Sequence, residues 1–505
     1  MSKLPLLLRT VRHLRPVQVA YQIRYRLCKP RFRQLKAPAA AAAVPGWTQW
    51  IEKCPCLMPD GTLRFLNIGD SFRDWNFAGH GALWAYNLNY MDWLCQEGMT
   101  LERGAEWINR FIDGLPAART GLDPYPIALR GINWIKFICR HCRGIEPGQL
   151  QQWNDALYSQ YRLLERKLEF HLLGNHLLED AFSLFIGSVY FRDVRLYRKA
   201  CRLLRHELAE QILPDGAHFE QSPMYHSIML DRLLDCLSLA QHAQGLGGLQ
   251  QMADFLKAKA ARMLGHLESI CYADGSLPLF GDSALGIAPT PGQLFGYASR
   301  LGVEWEAIPL SACGYRHMQC GDMEAFVDVG NIAATYQPGH THADSLSYEL
   351  RIGGKPFVVD TGISTYNKTA RRQYERSTAA HNAVSAGGRS SSEVWSGFRV
   401  ARRCRTAVVR DGQGCVEAWH DGFEKPCRRI FSMGSGEFRV EDRYDGEAVS
   451  YIHLAGDADV QRIAVENASE TIVRDSLYAR QYNRLLPGKT LEIHFNGFCQ
   501  YSIKP

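Results

Sequence analysis

Between Gly339 and Asn382 the chain gathers residue types that move protons and bind metals. The run Gly339-His340-Thr341-His342-Ala343-Asp344 is followed by Val358-Val359-Asp360 and then by Ser377-Thr378-Ala379-Ala380-His381-Asn382. Imidazole titrates near neutrality without help and is also a common metal ligand. His340 and His342 sit two apart just before an extended run, so both side chains leave the same face if strand geometry already holds there. A hairpin turning at Gly353-Gly354 returns Asp360 toward His342, and His381 follows on a nearby loop. Two imidazole nitrogens and one carboxylate oxygen suit a closed zinc site. The alternative is three separately hydrogen-bonded polar residues at strand ends.

A second group lies upstream. Pro214-Asp215-Gly216 opens a turn that runs through Phe219-Glu220-Gln221-Ser222 into a helix starting near Pro223. Tyr225 and His226 then occupy the helix's N-terminal end, where the partial positive charge favours an anion such as a phenolate or a bound carboxylate. Packing is the other use for a tyrosine there. Gly174-Asn175-His176, with Glu179 beyond, reads as the start of another helix with Asn175 as its cap.

The elements that must position these residues fall into two textures. From Trp47 to about Leu310 apolar residues recur at three- and four-residue intervals, as in Leu157, Tyr161, Leu164 and Leu168. This predicts helices near 83–97, 101–113, 125–143, 149–171, 176–190, 193–212, 223–244 and 248–270, an all-α domain of repeated helical hairpins. After about Cys313 short alternating runs separated by Gly, Asp and Asn predict antiparallel strands, among them 345–352, 355–360, 383–386, 405–410, 416–420 and 438–444. At 505 residues two or three domains are expected. The divisions fall at 1–45, a basic segment ending in the Ala-rich linker Lys36–Pro45, then 46–312 and 313–505.

Composition narrows the function classes. A charge of +6 is unevenly placed, with Arg371, Arg372, Arg376, Arg389, Arg399, Arg402, Arg403 and Arg405 close together. Such a field suits a carboxylated or sulfated polyanion, and no nucleic-acid module accompanies it. A solvated basic surface is the alternative. Fifteen cysteines form no disulfide framework, and Cys139-x-x-Cys142 lacks a second pair, so reduced core thiols and a reducing compartment are expected. The apolar run to Leu8 is broken by Arg9, Arg12 and Arg15, too short for a secretory signal, and nothing approaches the roughly 18 apolar residues of a membrane span. A cytoplasmic location is expected, the periplasm being the alternative. Arg9 to Arg33, interleaved with Val17, Ala20, Tyr21, Ile23 and Leu27, could lie on an anionic surface or pack on its own domain.

Read together, Gly174-Asn175-His176 with Glu179, Phe219-Glu220-x-Ser222-Pro223-x-Tyr225-His226, His340-Thr341-His342-Ala343-Asp344, Val359-Asp360-x-Gly362 and Arg376-Ser377-Thr378-Ala379-Ala380-His381-Asn382 resemble the heparinase II/III family of polysaccharide lyases. The match keeps the family's order from about Asp123-Pro124-Tyr125-Pro126 to Glu393. The resemblance implies an α+β multidomain chain, an (α/α) toroid followed by an antiparallel β-sandwich. It also implies β-elimination at a uronic acid of an acidic polysaccharide, the cell's own capsule or exopolysaccharide being the expected polymer. That chemistry needs a base for the C5 proton, an acid for the departing 4-oxygen and a group that neutralises the carboxylate. By motif Asn175 resembles the neutraliser, Tyr225 the acid and also a base, and His340 the partner base. A phenol with an ordinary pKa near 10 serves as an acid unaided but as a base only if its phenolate is stabilised. His342, Asp360 and His381 resemble the ligands of a structural zinc. On the substrate side the expected residues are His176, Glu220, His226, Asn133, Arg376 and Arg389.

Two other readings follow from the same residues. A glycoside hydrolase on this scaffold would use two carboxylates facing the scissile bond, drawn from Glu179, Asp215 and Glu220. A non-catalytic polysaccharide-binding or capsule-assembly protein would keep the groove without the chemistry.

Overall fold

Apolar periodicity produces helices where it is strongest. A computed structural model describes residues 4–39, 41, 43–44, 46–412, 414–434 and 436–505. Its helices are α1 (Leu4–Val11), α2 (Pro16–Leu27), α3 (Ala82–Tyr90), α4 (Leu101–Gly114), α5 (Pro124–His141), α6 (Pro147–Lys167), α7 (Gly174–Tyr190), α8 (Val194–Gln211), α9 (Pro223–His242), α10 (Leu249–Ile270), α11 (Pro291–Arg300) and a short α12 (Ala370–Glu375). Pro at the first turn of α5, α6, α9 and α11 and side-chain caps at Thr100, Asp193, Ser222 and Thr290 mark their starts.

Packing sorts these helices into two rows. α5 contacts α3, α6 and α7, α7 contacts α8 and α9, and α9 contacts α10 and α11. The odd-numbered helices thus form an inner row and the even-numbered ones back it, the hairpin arrangement of an (α/α) toroid. Burial follows: every residue of α7 except His176 is buried, whereas α8 keeps its charged face in solvent. Buried ion pairs tie the inner row together. Lys136 of α5 meets Asp235 of α9 at 2.6 Å, and Arg232 of α9 meets Glu179 of α7 at 2.9 Å.

The expected linker behaves otherwise. Its residues 40, 42 and 45 lie outside the described residues, but its first two residues are held against α6 and the Val44 N–H donates to Cys139 of α5. The Lys36 Nζ reaches Asp155 at 2.7 Å and the Ala37 N–H donates to the same carboxylate at 2.9 Å.

The C-terminal half is a 12-stranded antiparallel sheet that curls around its own core. Two long strands organise it, Glu437–Ala455 and Arg484–Ile503, paired along their length. The first part of Glu437–Ala455 takes Cys427–Gly434 as its other neighbour, while the second part takes Val384–Ala386 and, at Leu454, Val358. The change of neighbour falls beside a register shift between Tyr444 and Glu447, where the extra residues let the strand bend. Val358, Val440, Ile452, Leu491 and Tyr501 fill the interior. The expected hairpin is present as Tyr348–Ile352 and Lys355–Val358, and the preceding pair Tyr315–Cys320 and Met323–Asp328 extends the sheet.

Candidate active site at the seam between the domains

Three segments of the toroid meet one of the sheet domain. The first is the start of α7, where Leu173 and Gly174 both take positive φ, 63° and 60°. This turn aims the Asn175 N–H at Glu220, whose Oε1 accepts it at 2.8 Å. A Cβ on Gly174 would fall 2.3 Å from that oxygen, so the position needs glycine. Asn175 is buried, yet its side-chain amide has no hydrogen-bond partner among the described residues. The amide therefore remains open to a ligand rather than capping the helix.

The second segment is the N-terminus of α9. Ser222 Oγ accepts the Tyr225 N–H at 3.3 Å and donates to the Asp282 carbonyl at 2.8 Å. The cap thereby locks Tyr225 to the third segment, Phe280-Gly281-Asp282-Ser283, in the loop between α10 and α11. There the Asp282 N–H donates to the His340 carbonyl at 2.9 Å. Gly281 has φ +55°, and a Cβ would stand 2.7 Å from the same carbonyl, too close for any other residue without a shift.

These contacts converge on one stack. The Tyr225 and His340 rings lie 3.7 Å apart at 23°, and the Tyr225 hydroxyl is 3.3 Å from that of Tyr366. His340 Nδ1 is 3.0 Å from Asp282 Oδ2, while its Nε2 is 3.5 Å from Glu220 Oε2. Asp282 is fully buried and also accepts both arms of Arg372, at 2.5 and 2.8 Å, and faces His342 Nε2 at 2.8 Å. Burial alone would raise this carboxyl, but the Arg372 charge and the two imidazole hydrogen bonds outweigh it and hold the pKa well below the usual range. An ionised carboxylate only accepts, so His340 donates from Nδ1 and Nε2 is the nitrogen turned away from Asp282. Burial, reinforced by the Asp282 and Glu220 carboxylates, pushes the Tyr225 phenol above its ordinary value, so it stays protonated.

Neither Asp282 nor Arg372 was expected to act here. Asp282 was not a candidate, and Arg372 was counted in a basic field meant for a polyanion. That field is largely internal wiring: Arg372 is bound to Asp282, Arg371 pairs with Glu375 at 2.7 Å, and Arg402 donates to the Ser391 and Gly422 carbonyls. Other expected substrate residues also sit elsewhere. Asn133 is buried in α5, donating to the Tyr90 carbonyl at 2.9 Å and Asp92 at 2.7 Å. His226 is a core residue that accepts the His218 N–H at 3.1 Å and donates to the Met263 carbonyl at 3.0 Å. Arg389 pairs with exposed Glu424 at 3.1 Å. Arg376 is buried, and burial pulls its pKa down to about 9; by donating to the Thr341 carbonyl at 2.9 Å it braces the His340–His342 turn from behind. His176 does lie at the entrance to α7, facing Glu169 at 3.0 Å and packed on Tyr125.

The metal candidates also rearrange. His342 turns Nε2 to Asp282, and His381 turns Nδ1 to Asp360 at 2.7 Å. Each ring keeps one buried nitrogen without a partner, His342 Nδ1 and His381 Nε2. Ligand atoms of His342, Asp344 and His381 lie within 4.8 Å of one another, all buried. The donor set thus fits a cation, with Asp344 taking the place expected for Asp360. Asp360 instead stands behind His381 and fixes the orientation of its ring through the Nδ1 contact.

A helical toroid joined to a curled antiparallel sheet is the fold of heparinase III structures. The heparinase II/III N-terminus model matches residues 134–289 and the heparinase II/III-like C-terminal model matches 303–495, together most of the chain. The chain belongs to the heparinase II/III-like family. It is 27% identical over 241 residues to the heparin-sulfate lyase of Pedobacter heparinus, a stretch covering 42% of this chain and 36% of that protein's own length. A crystal structure of heparinase III superposes with a TM-score of 0.66 over 97% of this chain and 89% of that one, at 13% identity. The heparan sulfate lyase HepC mutant from Pedobacter heparinus superposes at 0.58 over 96% and 87%, at 16% identity. At these identities the superpositions establish the fold. All fifteen cysteines are free thiols, and among the described residues no helix is long and apolar enough to cross a membrane.

Proposed function

We propose that this protein is a polysaccharide lyase that cleaves an acidic, uronate-containing polysaccharide by β-elimination. The observation that carries the reading is the Tyr225–His340 stack at 3.7 Å, joined through Glu220 to the backbone N–H of Asn175, whose side-chain amide has no partner among the described residues. The Asn175 amide donates to the uronate carboxylate and stabilises the charge that develops as C5 loses its proton. His340 Nε2, aimed by Asp282, takes that proton. The C4–C5 double bond forms as the C4–O4 bond breaks, and the protonated phenol of Tyr225 delivers its hydrogen to O4. The Tyr366 hydroxyl offers a hydrogen bond through which the phenol regains a proton.

The hydrolase reading is less well supported, because each of its carboxylates already has at least one oxygen engaged within the fold. Glu179 pairs with Arg232, Asp215 accepts the Ser311 and Cys313 N–H groups, and Glu220 accepts that of Asn175. Zn2+ held by His342, Asp344 and His381 belongs to the same proposal, as a structural ion below the stack that supplies folding energy. The test is a panel of uronate polysaccharides, capsule and exopolysaccharide included, read by the ultraviolet absorbance of the new double bond. Tyr225→Phe is expected to lower turnover by about 10²–10⁴-fold while circular dichroism and polymer binding are unchanged. New reducing ends without that absorbance would refute elimination.

A further inference from the structure

The second helix carries an apolar face that no described residue covers. α1 has no buried residue and α2 has one, Gln18. Of the seventeen large apolar residues exposed among the described residues, eight fall within the first 35. Val19, Ile23 and Leu27, 37%, 53% and 79% exposed, recur at four-residue intervals and so form a single stripe along α2.

Charge surrounds that stripe. Ten of the chain's 58 Lys+Arg and none of its 52 Asp+Glu lie in the first 36 residues, leaving 48 against 52 beyond. Arg9 and Arg15 turn inward, to Glu393 at 3.0 Å and to Glu210. Arg24, Arg26, Lys29, Arg31 and Arg33 are exposed and have no ion-pair partner among the described residues. The opposite side of α2 is fixed to the body. Gln18 Nε2 donates to the Leu172 carbonyl at 3.1 Å, Tyr21 packs on Phe170 with centroids 4.7 Å apart, and Tyr25 donates to the Leu168 carbonyl.

We propose that this face of α2, with the Arg31–Arg33 run after it, docks the protein on an anionic lipid surface. Hydrocarbon side chains ringed by unpaired cations fit an interface where acyl chains lie beneath negative headgroups. An acidic polysaccharide would satisfy the cations but leave Ile23 and Leu27 in water. A second copy of the chain would bring like charges together. Because α2 rests on Leu168–Leu172, the turn that leads into Asn175, the docked protein would hold its groove in a fixed relation to the surface.

The experiment is cosedimentation of the full chain with vesicles of equal parts phosphatidylglycerol and phosphatidylcholine, beside vesicles of phosphatidylcholine alone. Binding is expected only to the anionic vesicles and to weaken as salt rises. Arg24→Gln/Arg26→Gln/Arg31→Gln is expected to weaken it about 100-fold, and Ile23→Ser/Leu27→Ser at least about tenfold. All five side chains are exposed, so both variants should keep the wild-type circular dichroism and melting temperature. Equal binding to both vesicle types, no binding to either, or anionic binding that ignores Ile23→Ser/Leu27→Ser would overturn the proposal. So would self-association in sedimentation velocity that the apolar variant abolishes. The proposal stands apart from the lyase reading, since vesicle binding is read without any polysaccharide present.

Discussion

Replacing Asp282 by Asn keeps the shape of the side chain and removes the charge on which the seam is built. Asp282 is fully buried and Arg372 is 1% exposed, joined by two hydrogen bonds of 2.5 and 2.8 Å. Without the carboxylate Arg372 becomes an unpaired buried cation, a loss of about 3–5 kcal/mol. Spread over the unfolding entropy of a 505-residue chain, that lowers the melting temperature by about 3–5 °C. The amide also turns one acceptor into a donor, which either His340 or His342 must then face. If His340 turns its lone pair to that amide, the proton moves to Nε2, and turnover should fall by about 10²–10⁴-fold. Adding Arg372→Met separates the two effects. The double variant removes the stranded cation and should melt well above Asp282→Asn alone, while turnover stays low. Scanning fluorimetry and the ultraviolet product assay measure both. Asp282→Asn that melts and turns over like the wild type would refute the role given to this carboxylate, as would a double variant whose losses are simply additive.

Further outcomes follow from other parts of the structure. Elemental analysis of the purified protein is expected to find zinc, and chelation or His342→Ala to lower the melting temperature; zinc-free protein of full stability would contradict the site. Burial brings His218, His266 and His420 each down to about 4 from an ordinary value near 6.5. Between those values the unfolded chain binds more protons than the folded one, so their contribution is complete above pH 6.5 and is lost as pH falls toward 4. Each is worth on the order of 3 kcal/mol, and the urea midpoint should fall steadily over that window. Gly281→Ala places a Cβ against the His340 carbonyl at positive φ and should cost about 1–3 kcal/mol, read as a lowered melting temperature.

Much of the architecture is legible in the sequence because repeating physics produces it. The segment predicted at 223–244 is α9 at Pro223–His242, and that at 248–270 is α10 at Leu249–Ile270. Pro at the first turn and turn residues beyond the last punctuate a 3.6-residue period that is hard to mistake. α1 and α2 were legible only as a basic segment, since their apolar residues face outward and signal no core. The site was less legible for a different reason. Asp282 stands alone in a loop, and its partners come from positions 340, 342 and 372, so no local spacing announces it. Charge counting misled at Arg372 and Arg376, because composition does not tell a solvated guanidinium from one that hydrogen-bonds inside the fold. Asp344 and Asp360 show the same limit. Both precede or follow a strand near His342, and only the rotation of His381, set by its bond to Asp360, decides which carboxylate is left for a metal.

The seam also explains why the proposed catalytic parts come from both domains. Asn175, Glu220 and Tyr225 are held by toroid helices, whereas His340 arrives on the sheet domain. Asp282 belongs to the toroid by sequence but is fixed by His340, His342 and Arg372 from the other side. A shift of the two domains by an ångström would break several of these short bonds at once, since buried charge-assisted pairs do not stretch cheaply. Docking of the domains and positioning of His340 are therefore the same event. An ion held by His342, Asp344 and His381, as proposed, would strengthen that docking directly, because His342 also faces Asp282. Stability and turnover should then be coupled at Asp282 and Gly281, and uncoupled at Tyr225, whose hydroxyl has Tyr366 as its one hydrogen-bond partner among the described residues.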